Sequence, residues 1–246
     1  MELRASGSPL SLPAMQLHVL PAGLIQTNAY LLVAPERGEA VLIDAPGDVW
    51  ADVEPILKST QARLTELWIT HGHWDHTQGG AEVVAATGAK VRAHRADQVL
   101  IETPEVMEVF LGRGISLTPI KVDMWIDQGS RWSSLGLEVE VRHVPGHCPG
   151  NVLFYLSEAR AAFVGDALFA GSVGRTDFPM SDPALMQVSL RRLLDLPGHL
   201  IVCSGHGPVT TLEQELKSNP FLGDLRRERG LAEPSGWRSP LGANWG

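Results

Sequence analysis

The chain has 246 residues, 44% of them hydrophobic, enough to bury the core of one α/β domain. Its formal net charge of −8 argues against a phosphate-tracking surface, which would draw its affinity from Lys and Arg. Two cysteines, Cys148 and Cys203, exclude a disulfide framework, and without a membrane-length apolar run or a signal-like amino end (MELRASGSPLSLP) the expectation is a soluble, cytoplasmic chain with no membrane or nucleic-acid partner.

Apolar and β-branched runs at QLHVL, TNAYLLVA and AVLIDA, punctuated by Pro and Gly, predict consecutive strands. Asp48 to Thr60 then places Val49, Val53, Ile56 and Leu57 on one helical face. A strand at LTELWIT, a short helix at AEVVAATG stopped by Gly88, and a strand at KVRAH follow, so this half alternates in the α/β manner. Thr103 to Asp127 shows no clean period, has Gly and Pro scattered through it, and reads as an inserted loop or lid. Beyond it LEVEVRHV, NVLFYL, AAFVGD and LIVCSG predict strands, with an amphipathic helix between Asp182 and Leu196. The tail GLAEPSGWRSPLGANWG is rich in Pro, Gly and Ser and is expected to be loosely ordered, giving one domain over 14–222 with terminal extensions at 1–13 and 223–246.

The chemistry concentrates in THGHWDHTQGG, where His71, His73, Asp75 and His76 crowd together at the carboxyl end of a predicted strand. A lone histidine is usually a core or surface residue, but four potential ligands converging here suit zinc, iron or manganese. More candidates follow in the same setting. His147 lies in VPGHCPGN, Asp166 ends AAFVGD, and His206 lies in CSGHGP; each follows an apolar β-run and sits beside glycine, which lets backbone approach closely.

These motifs, with TNAYLLVA and VLIDA at the front, resemble the metallo-β-lactamase superfamily from about Gln16 to Leu222. LFAGSVGRTDFP and HGPVTTLEQELKSNPFL are similar to its short glyoxalase II-like (hydroxyacylglutathione hydrolase-like) subgroup. The resemblance implies a four-layer αβ/βα sandwich carrying two adjacent divalent metals, with zinc the first expectation and iron or manganese the alternatives. His71, His73 and His147 would hold one metal, Asp75, His76 and His206 the other, and Asp166 would bridge them. Asp75 and Asp166 are thereby the catalytic carboxylates, and a metal-bridging hydroxide would cleave a small-molecule thioester. A mononuclear iron persulfide dioxygenase of the same fold, using residues matching His71, His147 and Asp166, is the alternative; a non-enzymatic scaffold stands third, since no ligand is missing.

Around this set, Asp44 reads equally as an acceptor for a ligand imidazole or as a turn cap, and Cys148 as a small buried residue. Arg175 and Asp177 of GRTDF read as an internal pair, or Arg175 as a contact for an anionic substrate. His18, His94, His143, His199 and Cys203 have no partner motif and read as structural or surface residues. Typical glyoxalase II proteins carry a helical carboxyl-terminal extension that grips glutathione; here only Arg226, Arg227 and Arg229 of FLGDLRRERG recur, a run that reads as a solvated face. The sequence leaves the oligomeric state open.

Overall fold

The computed structural model describes residues 10–12, 15–108, 111, 116–228 and 230. Among them the chain builds two sheets, one from each half. The first runs in sequence order from β1 to β7: β1 (Leu10–Leu12), β2 (Met15–Ala22), β3 (Thr27–Ala34), β4 (Glu39–Ile43), β5 (Arg63–Trp68), β6 (Lys90–His94) and β7 (Met124–Ile126). Its first four strands pair antiparallel and β4 to β7 parallel, so the helices α1 (Trp50–Thr60), α2 (Trp74–Thr77), α3 (Gly80–Thr87), α4 (Gln98–Glu102) and α5 (Glu105–Glu108) fall in the parallel half. The second sheet is ordered β13-β12-β11-β10-β9-β8, from β8 (Arg131–Ser134), β9 (Leu137–His143), β10 (Val152–Leu156), β11 (Ala161–Gly165), β12 (Ile201–Ser204) and β13 (Thr210–Thr211). The helix α6 (Pro183–Leu193) links β11 to its parallel neighbour β12, while α7 (Leu212–Ser218) and α8 (Gly223–Glu228) close the described chain.

The burial pattern explains why the layers stack. In β3 every residue is buried; Tyr30 and Leu32 point between the sheets, and Leu31 and Val33 point to the helices. Between the sheets Tyr30 meets Phe163 edge-on at 5.3 Å and Trp68 meets Phe154 at 5.2 Å. Each such ring, once buried, contributes about 1.5–3 kcal/mol. On the outer face of the first sheet, Val53 and Leu57 of α1 and Val83 of α3 cover Leu42, Leu67 and Val91. On the outer face of the second, Met186, Leu190 and Leu193 of α6 cover Leu153, Ala162, Val164 and Val202. The sequence of layers is therefore helices, sheet, sheet, helices, as the resemblance implied.

Local signals set the element ends. Gly88 stops α3 in the left-handed conformation, and Asp182 caps α6 by accepting from the Ala184 and Leu185 amides at 2.8 and 3.0 Å. The segment from Thr103 to Asp127 differs from a simple loop: it holds α5 and β7, and its Ile120 and Val122 join the core beneath the first sheet. Its period is unreadable because short pieces serve different layers. Leu100, Met107 and Leu117 form a separate cluster with Trp74 and Cys148, placing this segment beside the strand-end loops. At the chain ends β1 pairs with β2, and α8 buries Leu225; the tail from Leu231 lies outside the described residues. Among the described residues no helix is long and apolar enough to cross a membrane.

Candidate metal centre

The carboxyl ends of β5, β9, β11 and β12 open at one edge of the sandwich, and the chain places the predicted site residues there. Leaving β5, it passes through His71 and His73, then turns into the single-turn α2, which swings Asp75 and His76 back toward the same point. His147 arrives on the loop after β9, Asp166 directly follows β11, and His206 follows β12. All seven predicted residues meet. Their ligand atoms gather in groups lying within 4.8 Å of one another: His71 with His73 and His147, His71 with His76 and Asp166, and Asp75 with His76 and His206.

Asp166 occupies the middle. Its Oδ1 lies 3.3 Å from His76 Nε2, and its Oδ2 lies 3.4 Å from His147 Nε2 and 3.5 Å from His206 Nε2. Asp75 Oδ2 lies 3.4 Å from His76 Nε2 and 3.2 Å from His206 Nε2, and accepts a 2.7 Å hydrogen bond from the Thr27 hydroxyl. On the other side the His73 Nδ1 and His147 Nε2 nitrogens face each other at 2.9 Å.

Several rings are oriented from behind. His76 Nδ1 lies 2.8 Å from Asp44 Oδ2, and the same carboxylate accepts from the Thr70 amide and hydroxyl, each at 2.7 Å. Asp44 therefore takes the first of its two readings, as the acceptor for a site imidazole, and does so from a left-handed backbone with φ 58°. His147 Nδ1 lies 2.8 Å from the Arg175 carbonyl, which accepts its proton and leaves Nε2 facing inward.

Electrostatics follow from this crowding. Burial, with the neighbouring imidazoles, pushes His71 well below the usual histidine range, and burial lowers His73 to about 4. Burial acts the same way on His76, but the carboxylates of Asp75, Asp44 and Asp166 overcome it and raise that imidazole well above its ordinary value. Burial opposes ionisation of Asp166, yet His76, His147 and His206 hold its carboxyl below the ordinary range.

The chemistry of the donor set fits bound cations. His71 Nε2, His76 Nε2 and Asp166 Oδ1 are buried without a hydrogen-bond partner; the 3.3 Å approach of the last two is too poorly aligned to count as one. Orphaned polar atoms of this kind are costly in a protein interior unless something else satisfies them. Gly205 keeps the space open, since a Cβ there would strike Asp166 Oδ1 and His76 Cε1. Aromatic rings edge the opening: Phe178 lies 5.9 Å from His73 and 5.8 Å from His147, and Phe169 lies 5.8 Å from His206.

The remaining sequence candidates stand outside. Among the described residues, His18, His94, His143, His199 and Cys203 join no group able to hold a metal; His94 and His143 stack on each other at 4.0 Å. Cys148 is buried and its thiol donates to Asp97 at 3.1 Å. Arg175 forms a two-pronged pair with Asp177 at 2.9 and 2.7 Å, the internal reading. Arg226 is buried and donates to the Leu216 and Asn219 carbonyls, which departs from the solvated face the run suggests, whereas Arg227 is exposed and pairs with Asp224; Arg229 lies outside the described residues. Sequence reasoning missed Thr27, which holds Asp75, and it missed Asp97. No local spacing marks Asp97, because its partners, the Gly72 and Gly150 amides and the Cys148 thiol, lie far along the chain.

This fold and this centre define a class: a model of the Metallo-beta-lactamase superfamily matches residues 22–206, and the chain belongs to that superfamily. The hydroxyacylglutathione hydrolase GloC of Haemophilus influenzae is 34% identical over 213 residues, covering 85% of this chain and 98% of that protein, in keeping with the glyoxalase II-like subgroup. Among solved structures, TTHA1623 in a di-iron-bound form is 39% identical, with a TM-score of 0.74 over 83% of this chain and 99% of that one. The BLEG-1 B3 metallo-beta-lactamase is 34% identical, with a TM-score of 0.79 over 85% and 100%. ETHE1 from Myxococcus xanthus is 25% identical, with a TM-score of 0.66 over 84% of each chain.

Proposed function

We propose that this chain is a binuclear metal-dependent hydrolase that cleaves a small-molecule thioester of the hydroxyacylglutathione kind. The observation that carries the reading is the position of Asp166, within 3.5 Å of ring nitrogens from both halves of the centre. His71, His73 and His147 would hold one divalent ion and Asp75, His76 and His206 the other, with Asp166 shared and zinc the first expectation. Bound in pairs, such ions supply hydroxide near neutral pH and polarise a carbonyl. The protein residues do the rest. Asp44 and the Arg175 carbonyl fix the His76 and His147 rings, and Thr27 fixes the Asp75 carboxylate. Phe178 and Phe169 offer apolar edges against which an acyl or thiol group can pack.

The similarity to hydroxyacylglutathione hydrolase GloC supports the thioester over other hydrolase substrates. The glutathione moiety has less support in the charged groups, since Arg226 is buried against backbone carbonyls and the exposed Arg175 and Arg227 each pair with an aspartate. The test is anaerobic cleavage of S-lactoylglutathione and of simpler acyl thioesters by the metal-loaded chain. Cleavage without oxygen, strongly depressed in His206→Ala, is the expected result. Oxygen uptake with glutathione persulfide that depends on iron and tolerates loss of His206, with no anaerobic cleavage, would replace this reading by the dioxygenase; the likeness to ETHE1 and the di-iron form of TTHA1623 make that comparison worth running.

A further inference from the structure

Asp97 is fully buried at the turn that follows β6 and carries no ligand atom of the centre. Its Oδ2 accepts from the Gly72 amide at 2.7 Å and from the Cys148 thiol at 3.1 Å, and its Oδ1 accepts from the Gly150 amide at 2.6 Å. Gly72 lies between His71 and His73, while Cys148 and Gly150 follow His147. One carboxylate thus spans the two loops that deliver the three-histidine group. The glycines match it: a Cβ on Gly150 would sit 2.5 Å from Asp97 Cγ, and one on Gly72 would sit 3.0 Å from Asp97 Cβ.

The chemistry of these partners is specific. All three are donors, so the position demands a group that only accepts, and an asparagine would turn an NH2 toward one of them. Burying a carboxylate is costly, and an arrangement that commits both of its oxygens to two loops ties their separation to one carboxylate. We infer that Asp97 is a positioning residue for the three-histidine metal site, setting the spacing of His71 and His73 against His147 without touching metal or substrate. This inference rests on the ligand set proposed above and extends it to a residue outside it.

The experiment is competition between the zinc-loaded full chain and a chelator, with the two release steps assigned beforehand through His147→Ala and His206→Ala. Asp97→Asn should weaken zinc at the three-histidine site about 10-fold, the scale seen when supporting partners of metal ligands are removed, and leave the Asp75, His76 and His206 site unchanged. Cys148→Ala, which removes one donor, should shift the same step in the same direction by less. Equal weakening at both sites, or a lower thermal midpoint with both zinc affinities intact, would reduce Asp97 to a general structural tie and overturn the inference. Should Asp97→Asn fail to fold, Cys148→Ala decides, and unaltered zinc release at the three-histidine site counts against the inference. A wild-type chain that takes up fewer than two zinc ions overturns the ligand set and this inference together; two ions with normal release in Asp97→Asn overturns this inference alone.

Discussion

The two halves of the molecule bring their share of the centre together by opposite means. The first half delivers His71, His73, Asp75 and His76 from one continuous stretch, where the end of β5 runs into the single turn of α2. Side chains steady that stretch: Asp44 on His76 and Thr27 on Asp75. The second half delivers His147, Asp166 and His206 one at a time from separate strand ends; there main chain meets or makes room for the ligand side chains, while the Asp97 carboxylate holds the loop behind His147. The Arg175 carbonyl holds His147, and Gly205 clears room for Asp166. The compact motif has a carboxylate directly behind one of its ligands, while the dispersed ligands take their placement mainly from the strand ends that carry them.

The largest effect belongs to the residue that joins the halves. Asp166→Ala should release metal from both sites, and with several kcal/mol of transition-state stabilisation lost, thioester turnover should fall on the order of 10³-fold. Elemental analysis beside a turnover assay checks this, and retention of one tightly bound ion would show that the halves work separately. Gly205→Ala comes next. The added Cβ meets Asp166 and His76, so turnover should drop about 100-fold through misplaced ligands while the circular dichroism spectrum of the fold stays intact.

The contrast in support also explains what could be read from the sequence. The contiguous His71-to-His76 motif is visible at once, and the dispersed ligands are visible because each follows an apolar β-run and touches glycine. The helix at Trp50–Thr60 and the strand at Thr27–Ala34 lie where periodicity puts them, since each has a continuous buried face. Thr103 to Asp127 was unreadable as core because Ile120, Val122 and β7 each contribute only a few residues to a layer. β8 (RWSS) hides for a related reason, being a short, mostly polar strand at a sheet edge. Asp44 could be read two ways because a strand-ending aspartate caps turns as readily as it orients imidazoles. Asp97 could not be read at all: its partners Gly72 and Gly150 lie 25 and 53 residues away.

Smaller effects separate side-chain support from backbone support. Asp44→Asn should weaken metal at the Asp75, His76 and His206 site about 10- to 100-fold, measured by chelator competition, because the His76 ring loses its carboxylate acceptor. Arg175→Ala should leave metal affinity unchanged by the same measurement. Its carbonyl still accepts from His147, and what is lost is the exposed pair with Asp177 and the stacking of the guanidinium over the Phe178 ring at 4.5 Å, neither of which holds a ligand atom. A large effect of Arg175→Ala with a small one of Asp44→Asn would invert the comparison.

The most direct test of the account is the metal content of the wild-type chain and of two variants, one from each group. After incubation with zinc, iron or manganese and removal of excess, the wild type should retain two ions per chain, and His147→Ala and His206→Ala should each retain one. At most one ion on the wild type under every metal tried would contradict the shared centre, and with it the hydrolase reading built on Asp166.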